Sequence, residues 1–577
     1  DVRTPANTPR TKEGVSMLTV MLFSVPAPGQ CVKGDDRFLG TVRTSMHKAP
    51  LTALAAGLKD ALLARDVVID IHICDMQTQG AEKYEDRQKV KYGELKLGNI
   101  TLEKYRIGLP FQEVIAEIVG SDVIGINSNF THSRRIVADF IRFCAEQNPR
   151  AVIVLGGTDA TVAPEFHLDC GAHVVVKGEG ELCFADLLEC VDKRLDFDQV
   201  PNIAFRAKDG AIKHTAKTFL SRTGSYNVNE MLPPDLDLVD LDSYSDTGEG
   251  KPPFGIQGPF ISVETSRGCA QACSFCATPS TKGRFRFMQL EKIRKHFEYF
   301  KLKGIRTLLF QEDNLLSRIH RHASGKSAFD DGRDELFDMF NLARSMGFCW
   351  EFTNGIELGQ FEHQGVVDHE LIQVMFNSEF VDGELVGCYR ATLPLENLTD
   401  DSSKLFRKLK PLGVIKDVLE GIVKTGVHSL SFNVIIGRPE DDEYNLCLTY
   451  LRSKEIREIC RNFNPDVQVY FNVYILSLLP GTVDYKHHNH RLAYDLNIDP
   501  EVITFYLGSL NTNYFSPLEI TQARGAMAKL LNSDALIDDY DEVHYLSSER
   551  FERLFTDADR GKLPSGRILA RELSPTF

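Results

Sequence analysis

The sequence predicts an α/β protein with two parallel-sheet units in series: an N-terminal Rossmann- or flavodoxin-like domain, then a partial (β/α)6 barrel of the TIM type, then a mostly helical C-terminal segment. Three observations predict this. Short apolar, β-branched runs alternate with amphipathic helical patterns over residues 18–195, the alternation breaks over 196–255, and it resumes over 256–485. Strands of this kind separated by helices imply a parallel sheet covered on both faces.

Residues 1–17, with DVRTPANTPRTKEG, read as a flexible polar tail and lack the apolar stretch of a secretory signal. The first domain begins at LTVMLFSV, followed by helical PLTALAAGLKDALLARD and strand VVIDIHICDM. After an insertion come PFQEVIAEIVGS, DVIGINSNF, SRRIVADFIRFCAEQN, AVIVLGG, AHVVVKGEGE and LCFADLLECV, giving five strands whose C-terminal ends should face a ligand. The linker 196–255 holds a hairpin pattern around KDG and the Pro/Asp-rich MLPPDLDLVDLDSY. The second block opens at FISVETSRG, with further strands at IRTLLFQEDN, FCWEFTNGIEL, LVGCYRATLPLEN, SLSFNVIIGRPE and VQVYFNVYILSLLPG. Such a barrel places its chemistry at the C-terminal mouth of the strands. Residues 486–577 form the helical segment expected to cover the substrate.

Composition narrows the function. The chain has 577 residues, 43% hydrophobic and 25% charged, with no apolar run long enough for a membrane span. Its formal net charge of −15 and its short basic clusters argue against a large nucleic-acid partner. Thirteen cysteines without an export signal point to a reducing, cytoplasmic setting. Ten of them are scattered in apolar surroundings and read as buried small hydrophobes.

The other three, Cys269, Cys273 and Cys276, lie in SRGCAQACSFCATP, directly after the first barrel strand. Thiolates suit zinc or iron–sulfur clusters. Structural zinc needs a fourth ligand at matching spacing, and none stands nearby. A [4Fe–4S] cube on three cysteines leaves one iron open.

The C-x-x-x-C-x-aromatic-C pattern in this context, with flanking TSRGC and ATPSTKGRFR, resembles the radical S-adenosylmethionine (SAM) superfamily. The resemblance implies that SAM chelates the open iron, and that a flavodoxin- or ferredoxin-type donor supplies the electron that cleaves it. It also implies SAM contacts from Glu312 and Asp313 after the second strand, Asn354 after the third, Glu396 after the fourth and Gly437 after the fifth; Glu357 lies near Asn354. LPLEN departs from the short form common in relatives at Glu396.

The stretch AVIVLGGTDATVAPEFHLDCGAHVVVKGEGELCF resembles the cobalamin-binding domain of B12-dependent radical SAM enzymes. The resemblance covers about residues 18–480 and points to the methyltransferase type (class B). It implies cobalamin contacts from Ser128, Asn129, Gly156, Gly157, Thr158, Gly178, Glu179 and Gly180. DIHICD lacks the pattern of an axial histidine ligand, so His72 is not read as one, while Met46 or His47 is the candidate for the lower face of cobalt. The KHHNHR stretch reads as a solvated loop.

The implied activity is methyl transfer from SAM through methylcobalamin to an unactivated centre of a small-molecule or peptide substrate, in specialised metabolism. Rivals are a non-methylating rearrangement with the same cofactors, polar methyl transfer without a 5′-deoxyadenosyl radical, a tRNA methylthiotransferase and a cobalamin sensor. No acid–base pair stands out in the sequence.

Overall fold

The structure is a computed structural model that describes residues 10–12, 15–39, 49–78, 87–215, 226–245, 259–320, 326–363, 365–399, 412–533 and 546–564. In the first domain, strands Val68–Asp75, Val15–Ser24, Val123–Asn127, Val152–Gly156 and Val174–Val176 lie side by side in that order, all parallel. Numbered along the chain this is 2-1-3-4-5, the flavodoxin-type order, whose switch point falls between the first and third strands. The strands alternate as a doubly covered sheet requires. Val20 and Leu22 pack with helices Ala49–Leu63 and Phe184–Lys193 on one face. Met21 and Phe23 pack with helix Arg134–Gln147 on the other.

The hairpin expected in the linker belongs to this sheet. Ile203–Arg206 and Ile212–His214 pair with each other, and the first of them pairs antiparallel with Val174–Val176. The sheet therefore continues past residue 195, because a bare Val-Val-Val edge would otherwise expose unpaired backbone. The insertion is a second sheet, Ala27–Val32, Ile100–Ile107 and Lys89–Leu97, all antiparallel. Its tight turn passes through Gly98 at φ +59°.

In the second unit, strands Phe260–Val263, Thr307–Phe310, Cys349–Phe352, Glu384–Glu396, Ser429–Ile436 and Gln468–Ile475 are parallel and in sequence order. This is the (β/α)6 arrangement. Leu430, Phe432, Val434 and Ile436 join the large core with Val469, Phe471, Val473 and Ile475. The alternate residues, including Ser431, Asn433, Asn472 and Tyr474, therefore face the barrel interior. The free edge of the last strand is blunted by side chain and loop. Asn532 exchanges two 2.9 Å hydrogen bonds with the Phe471 backbone, and the Phe505 carbonyl accepts from Ile475 N–H at 2.8 Å.

The C-terminal segment ties both units together. Helices Pro517–Leu531 and Glu549–Asp559 contribute Ile520, Met527, Phe551 and Phe555 to the barrel core. Before them, Leu496, Val502, Ile503 and Leu507 pack on Leu95, Leu97 and Leu102 of the inserted sheet. Buried Lys104 reaches Asp499 at 3.0 Å and Glu501 at 3.1 Å, and Tyr92 donates to Glu501 at 2.6 Å. All ten scattered cysteines are buried, as expected for small hydrophobes. No helix among the described residues is long and apolar enough to cross a membrane.

Candidate functional site

The loop after strand Phe260–Val263 is held from behind by the end of the second strand. Glu312, 3% exposed, accepts hydrogen bonds from the Thr265 N–H and hydroxyl, both at 2.6 Å, and from the Ser266 hydroxyl. Burial raises its pKa. Asp313 accepts from Gly268 N–H at 2.8 Å and from the Thr278 hydroxyl at 3.3 Å. Gly268 itself must be glycine: φ is +79°, and a Cβ would stand 2.5 Å from the Arg284 carbonyl. The two carboxylates expected beside SAM are thus engaged by the cysteine loop, whose backbone donors need acceptors at that buried strand end.

Within the loop the Cys269 sulfur accepts from Gln271 N–H at 3.3 Å and from the Asn314 amide at 3.5 Å. Asn314 also donates to Glu357 at 2.9 Å, which accepts further from Gln360 at 2.8 Å and Gln271 at 3.2 Å. Ser317 accepts from Ala270 N–H at 3.1 Å. Asn314 and Glu357 therefore form one buried polar network under the first cysteine.

The remaining SAM candidates occupy the rim. Asn354 donates to the Gln311 carbonyl at 3.0 Å, fastening the second strand end to the third. Glu396 sits at φ +56°, where the register with the fifth strand shifts between Pro394 and Glu396. A bulge with a non-glycine residue in the left-handed region re-aims a side chain at some cost, and such strain clusters at functional sites. Gly437, at φ +81°, is packed close: a Cβ would lie 2.9 Å from Ile520 and 3.2 Å from Ile475.

At the C-terminal edge of the first sheet, Ser128, Asn129, Gly156, Gly157 and Thr158 come together. Ser128 N–H donates to the Gly156 carbonyl at 2.8 Å, and the Asn129 side-chain oxygen accepts from Thr158 N–H at 3.2 Å. Gly157 has φ +112°, and its missing Cβ would fall 2.6 Å from both the Asn129 side-chain oxygen and the Ser128 carbonyl. Over Gly156 there is open space. Nearby, Gly178 N–H donates to the Thr161 hydroxyl at 2.9 Å, and Gly180 packs on Leu54. Met46 and His47 lie outside the described residues. His72 projects from its strand to pair with Asp70 at 3.1 Å.

Glu179, also expected at the cofactor, is held by groups of the barrel loop and the linker. Its carboxylate binds Arg267 at 3.1 Å and Arg286 at 2.8 Å, and accepts from Tyr226 N–H at 2.9 Å. Arg267 simultaneously binds Glu181 at 2.8 Å and Glu264 at 2.8 Å, and Lys282 joins Glu264 at 3.1 Å to Asp313 at 3.3 Å. Burial opposes ionisation of Glu264, but Arg267 and Lys282 outweigh it and hold its carboxyl down to about 2. A carboxylate this enclosed is retained where cations meet it. Sequence reasoning missed Arg267, Arg286, Glu181, Glu264 and Lys282. The one local signal for Glu264, Arg267, Lys282 and Arg286 was position on either side of the cysteines, and Glu181 shared the Gly-Glu-Gly-Glu loop with Glu179.

The donor sets fit the implied groups. The three cysteines are free thiols, and among the described residues no three Cys, His, Asp or Glu side chains converge as ligands of one metal ion. Three free thiolates suit a cube, where each binds its own iron. In the first domain the Ser128 hydroxyl, at the end of the third strand, is buried without a hydrogen-bond partner among the described residues. A buried orphan hydroxyl calls for a polar ligand group.

Comparison with known proteins agrees with this geometry. Residues 99–188 match the B12 binding domain family and residues 263–446 the Radical SAM superfamily. The chain is 25% identical over 361 residues to the cytidylyl-2-hydroxyethylphosphonate methyltransferase of Streptomyces wedmorensis, covering 58% of this chain and 61% of that protein. It thus spans about three fifths of that relative's length. By fold it is similar to the cobalamin-dependent SAM radical enzyme OxsB with aqua-cobalamin and SAM bound, at TM-score 0.59 and 14% identity, covering 89% of this chain and 66% of that one. It is similar also to the radical SAM methyltransferase TsrM from Kitasatospora setae with tryptophan substrate and aza-SAM bound, at TM-score 0.57 and 12% identity, covering 94% and 96%. The two domains carry the binding functions for cobalamin and for a [4Fe–4S] cluster with SAM. A B12 binding domain over residues 99–188 is thus joined to a Radical SAM domain over residues 263–446, in a fold similar to those of OxsB and TsrM.

Proposed function

We propose that this enzyme transfers a methyl group from SAM, by way of cobalamin, to an unactivated centre of a small-molecule or peptide substrate in specialised metabolism. The observation that carries the reading is the junction: the edge holding Ser128, Gly156 and Gly157 and the loop holding Cys269, Cys273 and Cys276 belong to different units, yet are bonded together through Glu179 and Arg267. When bound, the cluster with SAM supplies one-electron cleavage to a carbon radical, and cobalamin relays the methyl group.

The chain's own residues position and shield. Cys269, Cys273 and Cys276 hold the cluster, and Asn314 and Gln271 tune the Cys269 sulfur through N–H···S contacts. Glu396 and Asn354 meet SAM at the rim. Ser128, Asn129, Thr158 and the adjoining glycines hold the corrin and its nucleotide tail. Ser431, Asn433, Asn472 and Tyr474 line the interior on the two strands that the C-terminal segment abuts; Asn472 donates to Asn433 at 2.9 Å and to Ser431 at 2.8 Å. A wall of amides and hydroxyls favours a substrate with polar groups over a pure hydrocarbon.

The electron comes from a flavodoxin- or ferredoxin-type donor in the cytoplasm. The turn after the sixth strand supports this: Asp484 N–H donates to the Ser274 carbonyl at 3.0 Å, and exposed Lys486, His487 and His490 follow. Acidic carriers would find a complementary face there.

The test is anaerobic reconstitution with iron, sulfide and hydroxocobalamin, on wild type and a Cys269/Cys273/Cys276→Ala variant. Four irons and one cobalt per chain are expected, with only the iron lost in the variant. Transfer of label from methyl-labelled SAM to a substrate pool then follows the methyl group. Iron without cobalt overturns the proposal.

A further inference from the structure

The ion network between the two units has a geometry that stability alone does not require. Arg267 stands two residues before Cys269 and is buried, its side chain 8% exposed. Each arm of its guanidinium meets a different carboxylate: Nη1 binds Glu179 at 3.1 Å, Nη2 binds Glu181 at 2.8 Å and Nε binds Glu264 at 2.8 Å. Glu179 lies between Gly178 and Gly180 on the corrin-facing loop, and Arg286 grips its second oxygen at 2.8 Å. Arg286 in turn donates to the Lys282 carbonyl at 2.9 Å and the Tyr226 carbonyl at 2.6 Å. Two close approaches run alongside. A Cβ on Gly178 would sit 3.7 Å from the Thr281 carbonyl, and one on Gly481 would sit 2.6 Å from Val162.

Buried ion pairs recover roughly what their desolvation costs, so well-packed apolar residues would hold two domains together equally well. What a planar guanidinium shared among three carboxylates adds is a fixed orientation. Its two ends are each within a residue or two of backbone that faces a cofactor.

We propose that Arg267, with Glu179, Glu181 and Arg286, is a positioning strut that sets the separation and orientation of the iron–sulfur cluster and the corrin, and so couples the two sites. The strut rests on the two-cofactor reading above. It touches neither cofactor and acts by holding the Gly178–Gly180 loop against the start of the cysteine loop. By reciprocity of linked binding, a change at one end should be felt at the other.

The test uses the full chain loaded with both cofactors and poised so that the cluster is reduced and the cobalt is cob(II)alamin. Pulsed electron paramagnetic resonance then reads the spin–spin coupling between them. Wild type should give one narrow distribution. Arg267→Lys keeps the charge but loses the fork, and Glu179→Gln keeps the shape but loses the charge. Each should retain iron and broaden the coupling distribution about twofold or more. Loss of cobalt from Arg267→Lys would also support the strut, since residue 267 belongs to the barrel. Should one variant fail to fold, the other decides. An unchanged coupling and unchanged cobalt affinity in whichever variants fold overturns the strut. Wild type that binds iron but no cobalt would instead overturn the two-cofactor reading.

Discussion

Replacing Gly157 by alanine tests the corrin-binding edge with a magnitude that the backbone dictates. The new methyl would lie 2.6 Å from the Asn129 side-chain oxygen and 2.6 Å from the Ser128 carbonyl, at a φ of +112°. Holding alanine in that sparsely populated region costs about 1–3 kcal/mol. Relieving the two contacts requires the ends of the third and fourth strands to part, which loosens the 3.2 Å bond from Thr158 N–H to Asn129, worth about 1 kcal/mol. The sum is about 2–4 kcal/mol. If the domain folds by distorting the loop, a middle value of about 3 kcal/mol appears as a roughly 100-fold loss of cobalamin affinity.

Gly156 supplies the contrast. A Cβ there meets nothing within 4 Å, and its φ is not positive, so Gly156→Ala should leave the melting midpoint unchanged. Its methyl would project into the open space at the C-terminal edge of the sheet, so cobalamin affinity should still fall. The assay is titration with hydroxocobalamin followed by visible absorption, alongside iron content and thermal midpoint. Gly157→Ala binding cobalamin as tightly as wild type would refute the argument, as would Gly156→Ala that melts early but binds normally.

Three further outcomes are expected. Asn314→Ala removes an amide donor 3.5 Å from the Cys269 sulfur, and the reconstituted cluster's midpoint potential should fall by tens of millivolts, on the order expected for loss of one contact to sulfur; an unchanged potential in redox titration would deny the contact. Burial pushes His296 down to about 4, so the folded protein resists a proton that the unfolded chain accepts near 6.5. Stability is then complete above about pH 6.5 and declines as pH falls toward about 4, by up to about 3 kcal/mol; thermal midpoints of His296→Gln should decline less steeply over that window. Reversing Lys486, His487 and His490 to glutamate should slow cluster reduction by an acidic flavodoxin about tenfold or more at low salt while leaving dithionite reduction alone; equal slowing with both reductants would place the defect in the cluster and not in docking.

How much of this could be read in the sequence depended on how local the physics was. The five parallel strands of the first domain and the six of the barrel followed from alternation, because the apolar periodicity of each strand and helix is carried within its own short window. The cysteine loop and Gly157 were equally legible, since three ligands in eight residues and a glycine after a strand carry their meaning in place. The inserted sheet was present too, in KVKYGELKLGNITLEKYRI with its Gly98–Asn99 turn, but its alternation mixes lysine and glutamate with few large apolar residues. Its buried side is completed by Leu39 and, some four hundred residues on, by Leu496, Val502, Ile503 and Leu507, so no local window shows an apolar face.

The ion pairs of Glu179 were hidden for the same physical reason. A Gly-Glu-Gly-Glu loop after a strand resembles a cofactor cradle, and nothing within ten residues announces a guanidinium partner. Its partners Arg267 and Arg286 are 88 and 107 residues away, and only the docking of the two units brings them within 3.1 Å. Glu312 and Asp313 follow that logic at shorter range, answering Thr265, Ser266 and Gly268 from the end of the adjacent strand. Side chains at strand ends face both cofactor and neighbouring loop, and burial decides between them. A carboxylate walled in by backbone donors or guanidinium groups is claimed by the protein, whereas an exposed amide such as Asn354 keeps a polar atom at the rim. The residues that hold the two cofactor sites in place therefore outnumber those the motifs announce, and the charge pairs between the units are where the chain sets their geometry.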